Sequence, residues 1–142
     1  MNNLTLSPEA TRDAIDKLQN TMETCDECTN NFDEHTYHHF GDGTYVREIR
    51  LPKNTLVVGK AHKLTEVCIL TKGVILVTAE GAERGQVYEA PYIFTAAPGK
   101  KVLFVLEMAV FLNVHPNPTN TRDLQKLENE LIESDKLVLE DL

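Results

Sequence analysis

"GKAHKLTEVCILTKG", residues 59–73, is the stretch on which the reading of the fold turns. Its second half alternates as a strand does. Glu66, Cys68 and Leu70 fall on one face, and Val67 and Ile69 on the other. If the first half is extended too, Lys60 and His62 share a side. Lys63–Thr65 is then a short turn that returns Glu66 beside them on the next strand. Gly73 closes a "TKG" turn before the following run. A lysine, an imidazole and a carboxylate are thus expected together in an apolar setting.

On either side of this stretch, from Tyr45 to His115, the chain keeps a β character. "TYVREIRL", "TLVVGKAH", "EVCILT", "VILVTA", "QVYEAPYIFTA", "VLFVL" and "AVFLNVH" are short β-rich runs. They are separated by "PKN", "KG", "EGAERG", "APGKK" and "EM". Seven or eight such runs broken by turn residues predict an antiparallel sandwich or barrel. Before it, Ala10, Ala14, Ile15, Leu18 and Met22 form a helical stripe, with Ser7 as N-cap, Pro8 at the first helical position and Glu9 in the first turn. After it, Leu124, Leu127, Leu131 and Ile132 form another, with Thr121 as the cap. The expected organisation is an N-terminal helix and acidic connector over residues 1–40, a β-barrel over 41–118, and a C-terminal helix and tail over 119–142.

The composition sets bounds on function. A chain of 142 residues, 42% hydrophobic and 25% charged, has the makeup of one globular domain. A net charge of −8 without a basic cluster larger than "GKK" (Gly99–Lys101) argues against nucleic-acid binding. The longest apolar stretch, Val102–Val114, is interrupted by Glu107 and reads as two buried strands, so no membrane association is expected. The N-terminal residues lack the basic and apolar regions of a signal peptide, and three cysteines read as reduced thiols, which together make the cytoplasm the expected location.

The spacing within the opening stretch resembles the first cupin motif: Gly, five residues, His-x-His, three or four residues, Glu, six residues, Gly. It falls on Asn54, Lys60, His62, Glu66 and Gly73, with Asn able to stand for Gly at a left-handed turn. The resemblance implies a mainly β fold, a cupin-type (jelly-roll) small β-barrel with an N-terminal and a C-terminal helix. Two departures bear on the chemistry. Lys60 stands where the first ligand histidine would be, and an ammonium repels a divalent cation. Of the second motif only Gly99 remains, with Val102 and Leu106 at its histidine and asparagine positions. The wider pattern, "HHF…GTYVREIRLPKNT…GKAHK…ILTKG…APYIFTAAPGKK…VHP", is similar to the small single-domain cupin proteins of tailed bacteriophages and prophages. That likeness implies an infected bacterial cytoplasm, or a virion, as the setting.

His115, at the end of the last strand, is the candidate third ligand beside His62 and Glu66. Such a set with open positions would suit Fe²⁺, Mn²⁺ or Zn²⁺. Lys60, His62, Glu66, His115 and Cys68 are the candidate ligand-binding residues. Lys60 could hold an anionic ligand or simply pair with Glu66, and Cys68 reads chiefly as core filling. His38 and His39 face opposite sides of a strand, so at most one points inward. Cys25 and Cys28 with His35 and His38 are an alternative zinc set, set against an acidic connector with two thiols. The leading expectation is a barrel pocket that binds a small molecule, for example a host metabolite or signalling nucleotide. The alternatives are a virion structural protein with a degenerate pocket and a metal-dependent enzyme. Exposed β edges and uncovered apolar stripes further predict a homodimer or larger homo-oligomer.

Overall fold

The computed structural model of the protein describes residues 11–25 and 33–133. Seven strands dominate it: β1 (Thr36–Gly41), β2 (Thr44–Leu51), β3 (Leu56–Val58), β4 (Glu66–Ala79), β5 (Gln86–Glu89), β6 (Tyr92–Ala96) and β7 (Lys101–Pro116). Helix α1 (Arg12–Glu23) precedes them and helix α2 (Leu124–Leu131) follows. The sheet runs β1-β2-β7-β4-β5, with β3 also on β7 and β6 also on β4. Every pairing is antiparallel. The expected mainly β, jelly-roll arrangement with a helix at each end is the one observed.

Two expected turns are absent. "EVCILT" and "VILVTA" are one 14-residue strand, and the two runs of Val102–Val114 belong to one 16-residue strand. β4 and β7 pair along their length, from Val67↔Val114 to Ala79↔Lys101, with register shifts between Leu70 and Ile75. Irregularities of this kind, of which β-bulges are the common form, bend a strand without ending it. Gly73 sits among them at φ +91°, where an added Cβ would run into the Met108 carbonyl oxygen. The glycine signal therefore marks a bend at which two long strands curl together, rather than a hairpin turn.

The opposite departure occurs in two other runs. "QVYEAPYIFTA" divides at the cis Ala90–Pro91 bond into β5 and β6, which pair with successive halves of β4. "TLVVGKAH" keeps only Leu56–Val58 as strand. Its continuation is held instead by Gly59 N–H donating to the Lys101 carbonyl and by the mutual backbone bonds of His62 and Gly99.

The main core lies between the bent halves: Ile49, Leu51, Leu70, Ile75, Val105 and Ala109, with Phe111, Tyr88 and Leu103 against it. A second cluster of Tyr45, Leu127 and Leu131 seats α2 on the barrel. Its cap is Asp123, whose carboxylate accepts from the Gln125 and Lys126 N–H groups, while Thr121 instead accepts from Asp123 N–H. Leu127 and Leu131 are buried, whereas Leu124 stays exposed. The expected cap of the first helix, Ser7 with Pro8 and Glu9, lies outside the described residues. Within them Thr11 caps α1, accepting from Ala14 N–H. Ile15 of the expected stripe is buried and Ala14 is exposed. Ionic contacts dock this helix: Arg12 bridges Glu80 and Glu133, and Lys100 reaches Asp16 and Gln19. Among the described residues no helix is long and apolar enough to cross a membrane.

Candidate metal centre

Alternation along two strands and one irregular segment assembles the site. Glu66 opens β4, with its side chain inward beside Cys68 and Leu70, all three buried. On β7, Asn113 and His115 point to the same interior and are likewise buried. His62 arrives from the connector, where its backbone bridges Gly99 on one side and Ile132 on the other. Gly99 is needed for that bridge. It adopts φ +117°, and an added Cβ would come within 2.5 Å of the Glu80 carboxylate.

The result is a compact three-residue group. One ligand atom each from His62, Glu66 and His115 lies within 4.8 Å of the others. His62 Nδ1 is 3.2 Å from Glu66 Oε2, and His115 Nδ1 is 3.3 Å from the same oxygen. Neither contact has hydrogen-bond geometry, and Glu66 Oε2 is buried without a hydrogen-bond partner. The other carboxylate oxygen is satisfied, because Asn113 Nδ2 donates to Oε1 at 2.9 Å. The two imidazole rings stack, with centroids 5.5 Å apart and planes 8° from parallel.

The electrostatics favour a cation at this point. Burial pushes the His62 and His115 pKa values down to about 4, aided at His62 by His115, Lys101 and Arg47, and at His115 by Arg47. Both rings are therefore neutral at pH 7 and carry a free lone pair. Burial also raises the Glu66 pKa, against the pull of Lys101 and of its hydrogen bonds. A buried carboxylate oxygen without a hydrogen bond costs free energy unless something positive meets it. Protonated histidines do not supply that charge here. A divalent ion would, and two neutral imidazoles with one carboxylate are a common donor set for Zn²⁺ and Fe²⁺. The residues present fit a metal.

The other residues expected at the site are placed as follows. Lys60 does not join the group; it is exposed on the outer side and pairs with Glu128 of α2. The segment from Gly59 to Thr65 is not a strand, so the two-residue rule that put Lys60 beside His62 does not apply. Cys68 Sγ lies 3.8 Å from Glu66 Oε1 and 3.5 Å from Asn113 Nδ2. Burial and the neighbouring carboxylate push its thiol pKa up to about 12, so it is protonated and a packing group. His38 Nδ1 is 2.7 Å from Tyr45 Oη, and its ring stacks on Tyr45, which stacks in turn on His115. His39 faces the other way and pairs with Glu48. Among the described residues Cys25, His35 and His38 form no metal-ligating group, and Cys28 lies outside those residues.

Two inward residues were not singled out from the sequence. Asn113 orients the Glu66 carboxylate, and Arg47 lies opposite Asn113 on β2. The available signal was spacing: Asn113 stands two residues before His115, and Arg47 two after Tyr45, so each shares a strand face with that residue. A cavity of about 190 Å³ is lined by Tyr88, Phe94, Ala96, Arg84 and Lys101 among others, and by none of His62, Glu66 and His115. Ala96 and Phe94 are the strand partners of Glu66 and Cys68, which places this space alongside the candidate centre.

No protein-family model matches the sequence, and no curated protein matches it. Solved structures do. KdgF from Halomonas sp. aligns over 68% of this chain and 90% of its own, at 10% identity and a TM-score of 0.50. An RmlC-like cupin family protein with a double-stranded β-helix fold from Methanocaldococcus jannaschii aligns over 64% and 90%, at 16% identity and a TM-score of 0.48. A cupin-2 domain containing protein from Shewanella frigidimarina aligns over 61% and 85%, at 11% identity and a TM-score of 0.47. At such identities the likeness is one of fold alone. The mainly β, jelly-roll fold of this chain stands on its own strand order and antiparallel pairing.

Proposed function

We propose that this protein is a metal-holding cupin domain that binds a small molecule in its barrel. His62, Glu66 and His115 would hold one divalent ion, and the adjoining cavity would take the ligand. One observation carries the reading: three ligand atoms converge on a buried carboxylate oxygen that has no hydrogen bond. When bound, such an ion supplies Lewis acidity and open coordination positions. The chain's own residues then orient the centre. Asn113 fixes the carboxylate, the stacked rings fix the two imidazoles, and Phe94 and Tyr88 wall off the cavity.

Elemental analysis of protein purified without chelator tests this reading. Near-stoichiometric zinc, iron or manganese is expected, and it should be lost in both His62→Ala and His115→Ala. Failure of the wild type to hold any of the three after loading would overturn it. A phage setting, expected from the sequence resemblance alone, would make the ligand a host metabolite or signalling nucleotide. A virion assembly role would not require converging ligand atoms, which is why it ranks below the binding reading. The same convergence keeps a metal-dependent reaction as the second reading; turnover that disappears with the metal would move it to first place.

A further inference from the structure

Arg47 is the inward-facing cation that the proposed centre leaves unused. On β2 it shares a face with the buried Tyr45 and Ile49, and it is the strand partner of Asn113, whose side chain reaches Glu66. It is half-buried, and among the described residues no carboxylate lies within ion-pair distance of it. The adjacent Glu48 faces the other side, where Arg50 and His39 hold it. Lys101 stands at the cavity wall, its ammonium donating, among the described residues, to the Ala97 carbonyl at 2.7 Å. Arg84 lines the same cavity. Both Arg47 and Lys101 are close enough to act electrostatically on Glu66 and His62. A half-buried guanidinium that feels Glu66 only at longer range, with no carboxylate at ion-pair distance among the described residues, has hydrogen-bonding capacity to offer an anion.

We propose that the barrel binds a small organic anion, its carboxylate or phosphate group anchored by Arg47 beside the His62–Glu66–His115 centre and its body in the cavity of Lys101, Arg84 and Phe94. For its metal component this rests on the reading above, but the anion anchor stands on the position of Arg47 itself. A planar guanidinium matches the two oxygens of a carboxylate or phosphate with two parallel hydrogen bonds. With a divalent ion in place the interior gains two charges that Glu66 only half offsets. An anionic ligand is what balances the site. Tyr88 and Phe94, stacked with centroids 4.3 Å apart, offer the body of the ligand an aromatic wall.

The test is calorimetric titration of the full chain with oxalate, benzoate and inorganic phosphate, each with and without loaded zinc. Wild type, Arg47→Gln and Arg47→Lys are compared, and their thermal melts report folding. At least one probe should bind wild type. Arg47→Gln should weaken it by about tenfold or more, the loss expected of a charge-assisted hydrogen bond, with partial rescue in Arg47→Lys. Preference for benzoate or oxalate over phosphate distinguishes a carboxylate from a phosphate head group. Zinc affinity, read by chelator competition, should be unchanged or higher in Arg47→Gln, because a repelling cation is gone. Equal probe affinity in wild type and a folded Arg47→Gln, or no binding of any probe by wild type, would overturn the inference. Probe binding that depends on Arg47 in protein unable to hold zinc would support the anion anchor and sink the metal centre, so the two readings fail separately.

Discussion

Glu66 shows most directly what the site costs the fold. Its Oε1 is held by Asn113, but its Oε2 is buried and unpaired. Replacing the charged carboxylate with an amide removes the ionic part of that burden. Glu66→Gln is therefore expected to stabilise the metal-free protein at pH 7 by about 1–3 kcal/mol in urea unfolding, while abolishing metal uptake. Lower stability would mean that the carboxylate is already satisfied. Asn113 acts through Glu66, and Asn113→Ala should weaken metal binding roughly 10–100-fold, as measured by chelator competition. Cys68 follows the opposite logic. Its pKa near 12 predicts no alkylation by iodoacetamide in the native protein at pH 7, and modification only on unfolding.

At the scale of elements, the bent β4–β7 pair and the two docked helices set the geometry. Gly73→Ala would place a Cβ against the Met108 carbonyl at a positive φ, so a loss exceeding about 1 kcal/mol is expected in denaturant unfolding. Helix α2 depends on Leu127, which is 2% exposed, and Leu127→Ala should cost about 2–5 kcal/mol. Leu124→Ala, at a position 44% exposed, should cost far less, and comparable losses would mean the helix docks on a different face. Helix α1 is tied down more by charge. Arg12 holds the Glu80 carboxyl below its ordinary range through their hydrogen bond, with help from the Lys100 N–H. A depressed carboxyl contributes stability at pH above its unfolded value of 4.5, and that stability is lost as pH falls through the lower folded value. Amide exchange in α1 should accordingly quicken in acid, and Glu80→Gln should remove the pH dependence. Both groups are over a quarter exposed, so the effect is local fraying and not global unfolding.

For the whole molecule, the outer face of the sheet is the open question of partnership. Val67 is 42% and Ile93 66% exposed, and Ile69, Leu112 and Val114 lie beside them through the β4–β6 and β4–β7 registers. Neither helix covers Val67, which lies on the face opposite Glu66. We propose a second copy of the chain as that cover, with a two-fold interface across this face. Light scattering should then give a dimer mass, and Ile93→Lys should shift it to monomer with the centre intact. A wild-type monomer at all concentrations would remove the idea.

Much of this fold was legible in the chain, for identifiable reasons. The alternation of Glu66, Cys68 and Leu70 depends only on strand geometry, so it placed those residues on the inner face. The helical stripe of Leu127 and Leu131 likewise depends only on helical periodicity. Gly73 misled because positive φ serves a bulge as well as a turn, and nothing local distinguishes the two. Lys60 misled because period-two reasoning was carried into a segment that is not a strand. Asn113 went unnoticed because the run around it on β7 is apolar on both faces, which hides its interior side, and Arg47 because β2 also carries Glu48 and Arg50, so its charge alone does not mark an inward position.

The sequence by itself determined the mainly β class, the flanking helices and the chemistry available at His62, Glu66 and His115, since these follow from local periodicity and residue type. Only the tertiary structure decided that β4 and β7 each run unbroken through a bend, that Lys60 turns outward to Glu128, and that Arg47 and Asn113 face the centre. Those outcomes depend on which strands pair and in what register. Pairing is a long-range choice among contacts distant in sequence, and local propensity does not encode it.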